Sequence, residues 1–293
     1  MIERIYIPTI RRAANQITYT HLPDELRQRV IMVIDPAERH LYNYDCQYLD
    51  EPQPTIKSWT QLADTRLFIH KHAGAIKYAV ADDDLTFKRR NAKYWTGASN
   101  MPTSKRDATP EEISSMCSLF DTWLDEPDIG VVGPSNCEAP PPATAYADTK
   151  GVFSFVCYDG RMLSKVIDDM DLTSIRVAED VMFMYEALSR GINSRLSTEW
   201  IYDNRSFNSN DLAGTRAVWE DPFDEQPDDH YQTDMHYDAL RYIQSKYPHG
   251  MKIHERDGKR KNTKYWKKVY NPQRRTQAAY YERIKASAGR FDV

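Results

Sequence analysis

Two short apolar runs with a stretch of helical composition between them set the terms on which this chain can fold. Arg4 to Pro8 (Arg-Ile-Tyr-Ile-Pro) and Val30 to Ile34 (Val-Ile-Met-Val-Ile) lack the polar alternation of a half-exposed strand, so each reads as a strand buried on both faces. Leu22 to Arg29 between them has the composition of a helix. Buried strands joined by a helical crossover imply parallel pairing and an α/β class. Asp35-Pro36 stops the second strand, and a third candidate, Ile76 to Ala81, runs straight into Asp82-Asp83-Asp84. Carboxylates at the carboxyl end of a strand stand where open α/β sheets place ligands.

Further along, Pro110-Glu111-Glu112 reads as a helix start, followed by Ile113, Met116, Leu119, Phe120 and Trp123 at helical spacing. Ile129 to Gly133 and Val152 to Cys157 read as strands, and residues 139–143 as an extended loop. Asp180 to Arg190 reads as a helix with Gly191 at its carboxyl-terminal cap. The last third changes character: Glu220 to Asp229 carries six acids and Lys252 to Arg275 ten basic residues. The expected organisation is an α/β domain over 1–210 and a charged helical extension over 211–293, packed on it.

With 41% hydrophobic and 28% charged residues, collagen-like, disordered and disulfide-scaffold classes are excluded. The apolar runs are too short to cross a bilayer, and Met1-Ile2-Glu3-Arg4 does not open a secretory leader, so a cytoplasmic protein without membrane attachment is expected. Nothing in the sequence calls for an obligate protein partner. The four cysteines form no Cys-x-x-Cys pair and read as reduced. A net charge of −4 argues against a surface that binds polyanions all over and leaves local patches open.

On an extended backbone side chains alternate faces, so Asp82 and Asp84 are expected to point the same way at the end of the third strand. Two converging carboxylates repel unless a cation lies between them, and oxygen donors suit Mg²⁺ or Mn²⁺. The rival reading is a solvated acidic turn. Thr9, Arg11, Arg12, Gln16 and Thr18 follow the first strand with cations and hydrogen-bonding groups suited to a nucleotide and its diphosphate, or to a solvated loop and the cap of the next helix. The segment from Lys259, Arg260 and Lys261 through Lys264, Tyr265 and Trp266 to Lys268 interleaves cations with aromatics, as phosphate contacts and base stacking require, or as a solvated surface would show.

Ile5-Tyr6-Ile7-Pro8-Thr9, the polar loop ending Leu22-Pro23, the strand ending at Asp35, and Ala79-Val80-Ala81-Asp82-Asp83-Asp84-Leu85 together resemble the nucleotide-sugar-dependent glycosyltransferases of the GT-A fold, whose mark is an Asp-x-Asp motif. Val177-Ala178-Glu179-Asp180-Val181-Met182-Phe183 looks like the Glu-Asp element that opens the helix under their acceptor site. The Ile-Pro-Thr start with Arg12 and Gln16 and the compact length are most similar to the phage TET-associated glycosyltransferases, which put sugars on 5-hydroxymethylcytosine in DNA. The resemblance spans residues 1–210. It departs at His70-Lys71-His72-Ala73-Gly74, where an alanine- and asparagine-rich helix is common.

The resemblance implies a Rossmann-like sandwich with a mostly parallel central sheet, a UDP-sugar donor, a Mn²⁺ or Mg²⁺ ion and DNA carrying a hydroxymethylated pyrimidine as acceptor. It implies that Asp82 touches the donor ribose or the metal, that Asp84 holds the metal, that Asp83 lies with them at the donor, and that Asp35 and Thr9 contact the nucleoside. Glu179 or Asp180 would serve the acceptor, although an ordinary helix start explains both residues as well. A third metal ligand would come from His230, His236, His249 or His254, with His254 preferred for its place beside the basic segment. The same donor machinery would also serve a protein, glycan or small-molecule acceptor, and two rivals of other kinds are weighed. A nucleotidyltransferase needs a glycine-rich, lysine-bearing loop after the first strand, and this chain has no glycine before Gly74. A non-enzymatic DNA-binding protein would use the basic segment alone.

Overall fold

The structure is a computed structural model; it describes residues 1–10, 12–51, 61–90, 105–137, 144–175, 178–204, 229–248, 254–258 and 266–270, with only the backbone of residues 61, 229–237, 254–258 and 266–270. Its centre is a ten-stranded mixed sheet. In chain order the strands are β1 (Arg4–Pro8), β2 (Val30–Ile34), β3 (Gln47–Asp50), β4 (Lys77–Ala81), β5 (Leu85–Arg90), β6 (Lys105–Asp107), β7 (Ile129–Asn136), β8 (Tyr146–Asp148), β9 (Phe155–Asp159) and β10 (Asn193–Asn204). The spatial order is β3-β2-β1-β4-β9-β7-β10-β5-β6, with β8 paired to β10. The first four of these are mutually parallel. β9 runs antiparallel between β4 and β7, and β10 runs parallel to β7.

The helices are α1 (Ile17–His21), α2 (Asp24–Arg27), α3 (Gln61–Ala73), α4 (Pro110–Trp123), α5 (Gly160–Leu163), α6 (Glu179–Ser189) and α7 (Asp229–Lys246). Strand alternation sorts them into two layers. Ile5, Ile7, Met32, Ala79 and Phe155 face one core with Leu22, Leu26 and the α4 stripe Ile113, Met116, Phe120 and Trp123. Tyr6, Val33, Tyr78, Val80 and Tyr158 face the other core with Ile69 of α3, Leu163 of α5 and Phe183, Met184 and Ala187 of α6. The chain thus has the expected α/β class, with a parallel core and helices on both faces.

The differences from expectation have local causes. The helical stretch before β2 begins earlier and splits in two, because Pro23 forces Leu22 into an extended conformation (ψ 143°). α4 starts where expected, with Thr109 and Glu112 forming a reciprocal capping box and Pro110 at the first turn. The strand expected from Val152 begins only at Phe155, since Ser154 is left-handed (φ 64°). The extension is not helical throughout: after α7 come two antiparallel strands, β11 (His254–Gly258) and β12 (Trp266–Tyr270). Trp266, Val269 and Tyr270 are strand formers, and they outweigh the helical reading of the neighbouring lysines.

Gly160, at the turn from β9 into α5, shows how tightly β4 is seated. A Cβ there would lie 2.2 Å from the carbonyl oxygens of both Gly74 and Ile76, on the backbone leading into β4. Gly160→Ala should destabilise by about 2–4 kcal/mol, read as a lower urea midpoint at unchanged m-value; a cost under about 0.5 kcal/mol would show that this backbone can yield.

Candidate functional site

β1 and β4 lie side by side, and the chain leaves β1 towards β2 and β3 before returning on its other side. The crevice beyond their carboxyl ends is the switch point of the parallel half. Thr9 is the first residue after β1 and Asp82 the first after β4.

The acidic triplet does not continue the strand. β4 ends at Ala81, and Asp83 and Asp84 form a turn into β5. The expected alternation of Asp82 and Asp84 is therefore replaced by a split: Asp83 and Asp84 turn to the β1 loop, and Asp82 turns to α3. Thr18, fully buried, fixes this turn. Its amide donates to the Asp83 carbonyl at 3.0 Å, its hydroxyl donates to the Asp82 carbonyl at 2.5 Å, and its oxygen accepts from the Leu85 amide at 2.8 Å.

On the β1 side, the Thr9 hydroxyl donates to Asp83 Oδ2 at 2.6 Å and Arg12 Nη1 donates to Asp83 Oδ1 at 2.5 Å. Arg12 also stands 3.4 Å from Asp84 Oδ2. Gln16, 2% exposed, donates Nε2 to Thr9 Oγ1 at 2.7 Å and to the Arg12 carbonyl at 3.1 Å, and its buried Oε1 has no hydrogen-bond partner among the described residues. Burial pushes the Asp83 carboxyl up to about 6, against the pull of Arg12 and Thr9. Asp35 stands one strand away at the end of β2, where its Oδ1 accepts from the Ala37 amide at 2.8 Å and caps a short 3-10 helix.

On the α3 side the organising residue is Arg66, which sequence reasoning missed. Its Nη2 lies 3.4 Å from Asp82 Oδ1 and its Nε 3.5 Å from Glu179 Oε1 at the start of α6. Burial works against the guanidinium charge, and the fields of Glu179, Asp82 and Asp180 more than restore it, so its pKa is raised. Glu179 is held above its ordinary value of 4.5 by burial, with Arg66 opposing and Asp180 reinforcing the rise. Asp180 Oδ1 accepts from the Val181 amide at 2.7 Å, satisfying one of the unpaired donors of the first turn. The residue before this pair, Ala178, caps α6 with a left-handed backbone (φ 60°, ψ 29°).

A narrow cleft opens on this side, with Arg66, Glu179, Asp180, His70 and Tyr158 around it and Val152, Leu172 and Phe183 as apolar wall. His70 is neutral there: burial drives its pKa down to about 3, the Arg66 charge adding to the effect, and its Nδ1 shares a hydrogen bond with the Tyr78 hydroxyl at 2.5 Å.

No protein-family model matches this sequence, and no curated protein matches it. Among solved structures, a UTP-bound UGPase from Acinetobacter baumannii is similar with a TM-score of 0.42 at 8% identity, over 70% of this chain and 88% of that one. A likeness at that level says nothing about activity.

Apart from Asp35, which caps its own 3-10 helix, the sequence-derived residues fall into three sets. Thr9, Arg12, Gln16, Asp83 and Asp84 meet on the β1 side, and Asp82, Glu179 and Asp180 meet around Arg66. Arg11, Lys259, Arg260, Lys261, Lys264 and His249 lie outside the described residues, as do the side chains of His230, His236, His254 and Trp266. No helix among the described residues is long and apolar enough to cross a membrane.

The donor set can be tested for a cation by its charge. Asp82, Asp83, Asp84, Glu179 and Asp180 face two guanidiniums, Arg12 and Arg66, and burial raises the pKa of Asp82, Asp83 and Glu179. This excess of carboxylates, Asp83 and Asp84 buried and Asp82, Glu179 and Asp180 half-buried, is a hard-oxygen environment of the kind that suits Mg²⁺ or Mn²⁺. Among the described residues no three His, Cys, Asp or Glu side chains converge to hold an ion.

Proposed function

We propose that this protein is a nucleotide-sugar-dependent glycosyltransferase whose donor lies over the β1 and β4 ends and whose acceptor enters beside Glu179 and Asp180. The observation that carries this reading is Arg66, which stands between Asp82 and Glu179 and so joins the two acidic motifs, far apart in sequence, through one guanidinium.

In this reading Thr9, Arg12 and Gln16 hold the nucleoside and its diphosphate. The buried Gln16 Oε1 offers an acceptor that a base N–H would satisfy. Asp82 and Asp84 turn to different neighbours but still feel each other's charge; between them they would hold the divalent cation, which, when bound, neutralises charge on the departing diphosphate. A diphosphate meets five carboxylates here, so its entry needs the compensation that Arg12, Arg66 and the cation provide. The acceptor oxygen bonds to the anomeric carbon as the bond to the diphosphate oxygen breaks, and the hydroxyl proton passes to a carboxylate. Glu179 suits that task, because burial brings its proton affinity closer to neutrality. For the acceptor we favour a hydroxymethylated pyrimidine in DNA, supported by the resemblance and by the cations and aromatics between Lys259 and Lys268.

A thermal-shift screen of uridine, guanosine, thymidine and cytidine diphosphates with and without Mn²⁺ tests the donor half. UDP at about 100 times its dissociation constant should stabilise by roughly 2.7 kcal/mol, and only with metal present. Incubation with UDP-glucose and matched oligonucleotides, with and without 5-hydroxymethylcytosine, then tests the acceptor: one added hexose on the modified strand alone is expected. No response to any nucleotide would sink the donor assignment, and transfer to a glycan or small molecule instead would sink the DNA assignment.

A further inference from the structure

We propose that α7 is a positioning element for the acceptor end of the cleft, clamping α6 from outside and holding Ala178 in its left-handed conformation through Leu240, Ile243, Lys246 and Tyr247. The catalytic meaning of this clamp rests on the reading of Glu179 and Asp180 given above; the clamp itself does not.

Ala178 is one of three non-glycine residues with positive φ among the described residues, and it immediately precedes the carboxylate pair. An L residue keeps such a conformation only where its surroundings over-determine it. Ala178 is buried in a cluster in which Ile175, Val181 and Met182 meet Leu240 and Ile243 of α7 and Tyr247 just after it. The Tyr247 ring stacks on Tyr185 of α6, with centroids 5.4 Å apart at 18°.

Two turns along α6 a polar lock secures the same contact. The Glu186 carboxylate is fully buried. Its Oε1 accepts from the Tyr247 hydroxyl and from Lys246 Nζ at 2.7 Å, while Arg190 stands 2.5 Å from Oε2. Lys246 Nζ and the Tyr242 hydroxyl also reach Asp171 Oδ2, at 2.9 and 2.7 Å. Withdrawing α7 would leave the buried Glu186 with Arg190 as its sole cation among these contacts. Fixed at Ala178 and again at Glu186, α6 can neither rotate nor slide, and the direction of its first-turn carboxylates follows.

Hydrogen exchange on the full-length chain tests this. In Leu240→Ala/Ile243→Ala, amides of 178–184 should exchange roughly tenfold faster or more, with β1 and β4 unchanged. Transfer kcat should fall while donor KM holds. Ala178→Gly should raise Tm in the parent chain, by removing strain, and change it little in the loosened variant, where the strain has already relaxed. Tyr247→Phe, which deletes one hydroxyl, carries the same comparison if the double variant does not fold. Protection of 178–184 at parental levels while α7 itself exchanges freely, or an equal Tm gain from Ala178→Gly in both backgrounds, would overturn the clamp. If instead UDP and Mn²⁺ fail to bind the parent chain, the glycosyltransferase reading falls while the exchange and Tm results still decide the clamp.

Discussion

Arg66→Met should cost about 3–5 kcal/mol of stability at pH 8, because it removes the cation that faces Asp82 and Glu179 and keeps a side chain of similar length in its place. The loss should be smaller at pH 5. Burial already raises the pKa of Asp82 and Glu179, and the native state therefore binds their protons more tightly than the unfolded chain does. Stability from such groups is fully present below their ordinary values near 4 and falls as pH rises through the raised ones; without Arg66 those values rise further and the fall deepens. Equilibrium urea unfolding at both pH values measures this directly. An equal loss at pH 5 and pH 8 would mean that the guanidinium acts through packing of its stem and not through the carboxylates.

The second large effect is expected in activity. Glu179→Gln keeps the shape of the side chain and removes the proton acceptor, so the transfer rate should fall by about 10²- to 10⁴-fold with donor KM unchanged. Its stability should decline less between pH 5 and pH 8 than that of the parent chain, since the glutamine has no proton to lose. A transfer rate within about threefold of the parent would take the base role from Glu179 and hand the assignment to Asp180 or to another group.

What could be read in the sequence was what strands and local spacing encode. β1, β2 and β4 are short runs buried on both faces, and their composition says so. The acidic triplet and the Glu179-Asp180 pair announce themselves by position, one after a buried strand and one at a helix start. Arg66 was harder, because its partners come from β4 and α6 and no local pattern names them. A signal did exist: α3 places Ala63, Ile69, His70 and Ala73 on its buried side, and Arg66 falls within that stripe. A cation on an apolar helical face demands a carboxylate opposite it. Thr18, read as a nucleotide contact or as a local cap, spends its bonds on neither, since they run to the acidic turn far along the chain. The packing of α7 on Ala178 had no local signal, since it joins segments on either side of residues 205–228.

The insertion of β9 between β4 and β7 has a consequence for how the protein is made. On the ribosome β1 to β4 emerge before the later strands of the sheet, and they can pair among themselves as a parallel set. β4, buried along its whole length in the finished sheet and apolar from Tyr78 to Ala81, is then an open edge until residues 155–159 have been synthesised and can pair with it. An exposed hydrophobic edge of that kind is a template for association with other nascent chains. Production of soluble protein should therefore be limited by translation of residues 82–159 more than by the stability of the final fold, and slowing synthesis within that stretch should increase aggregation at a fixed native stability.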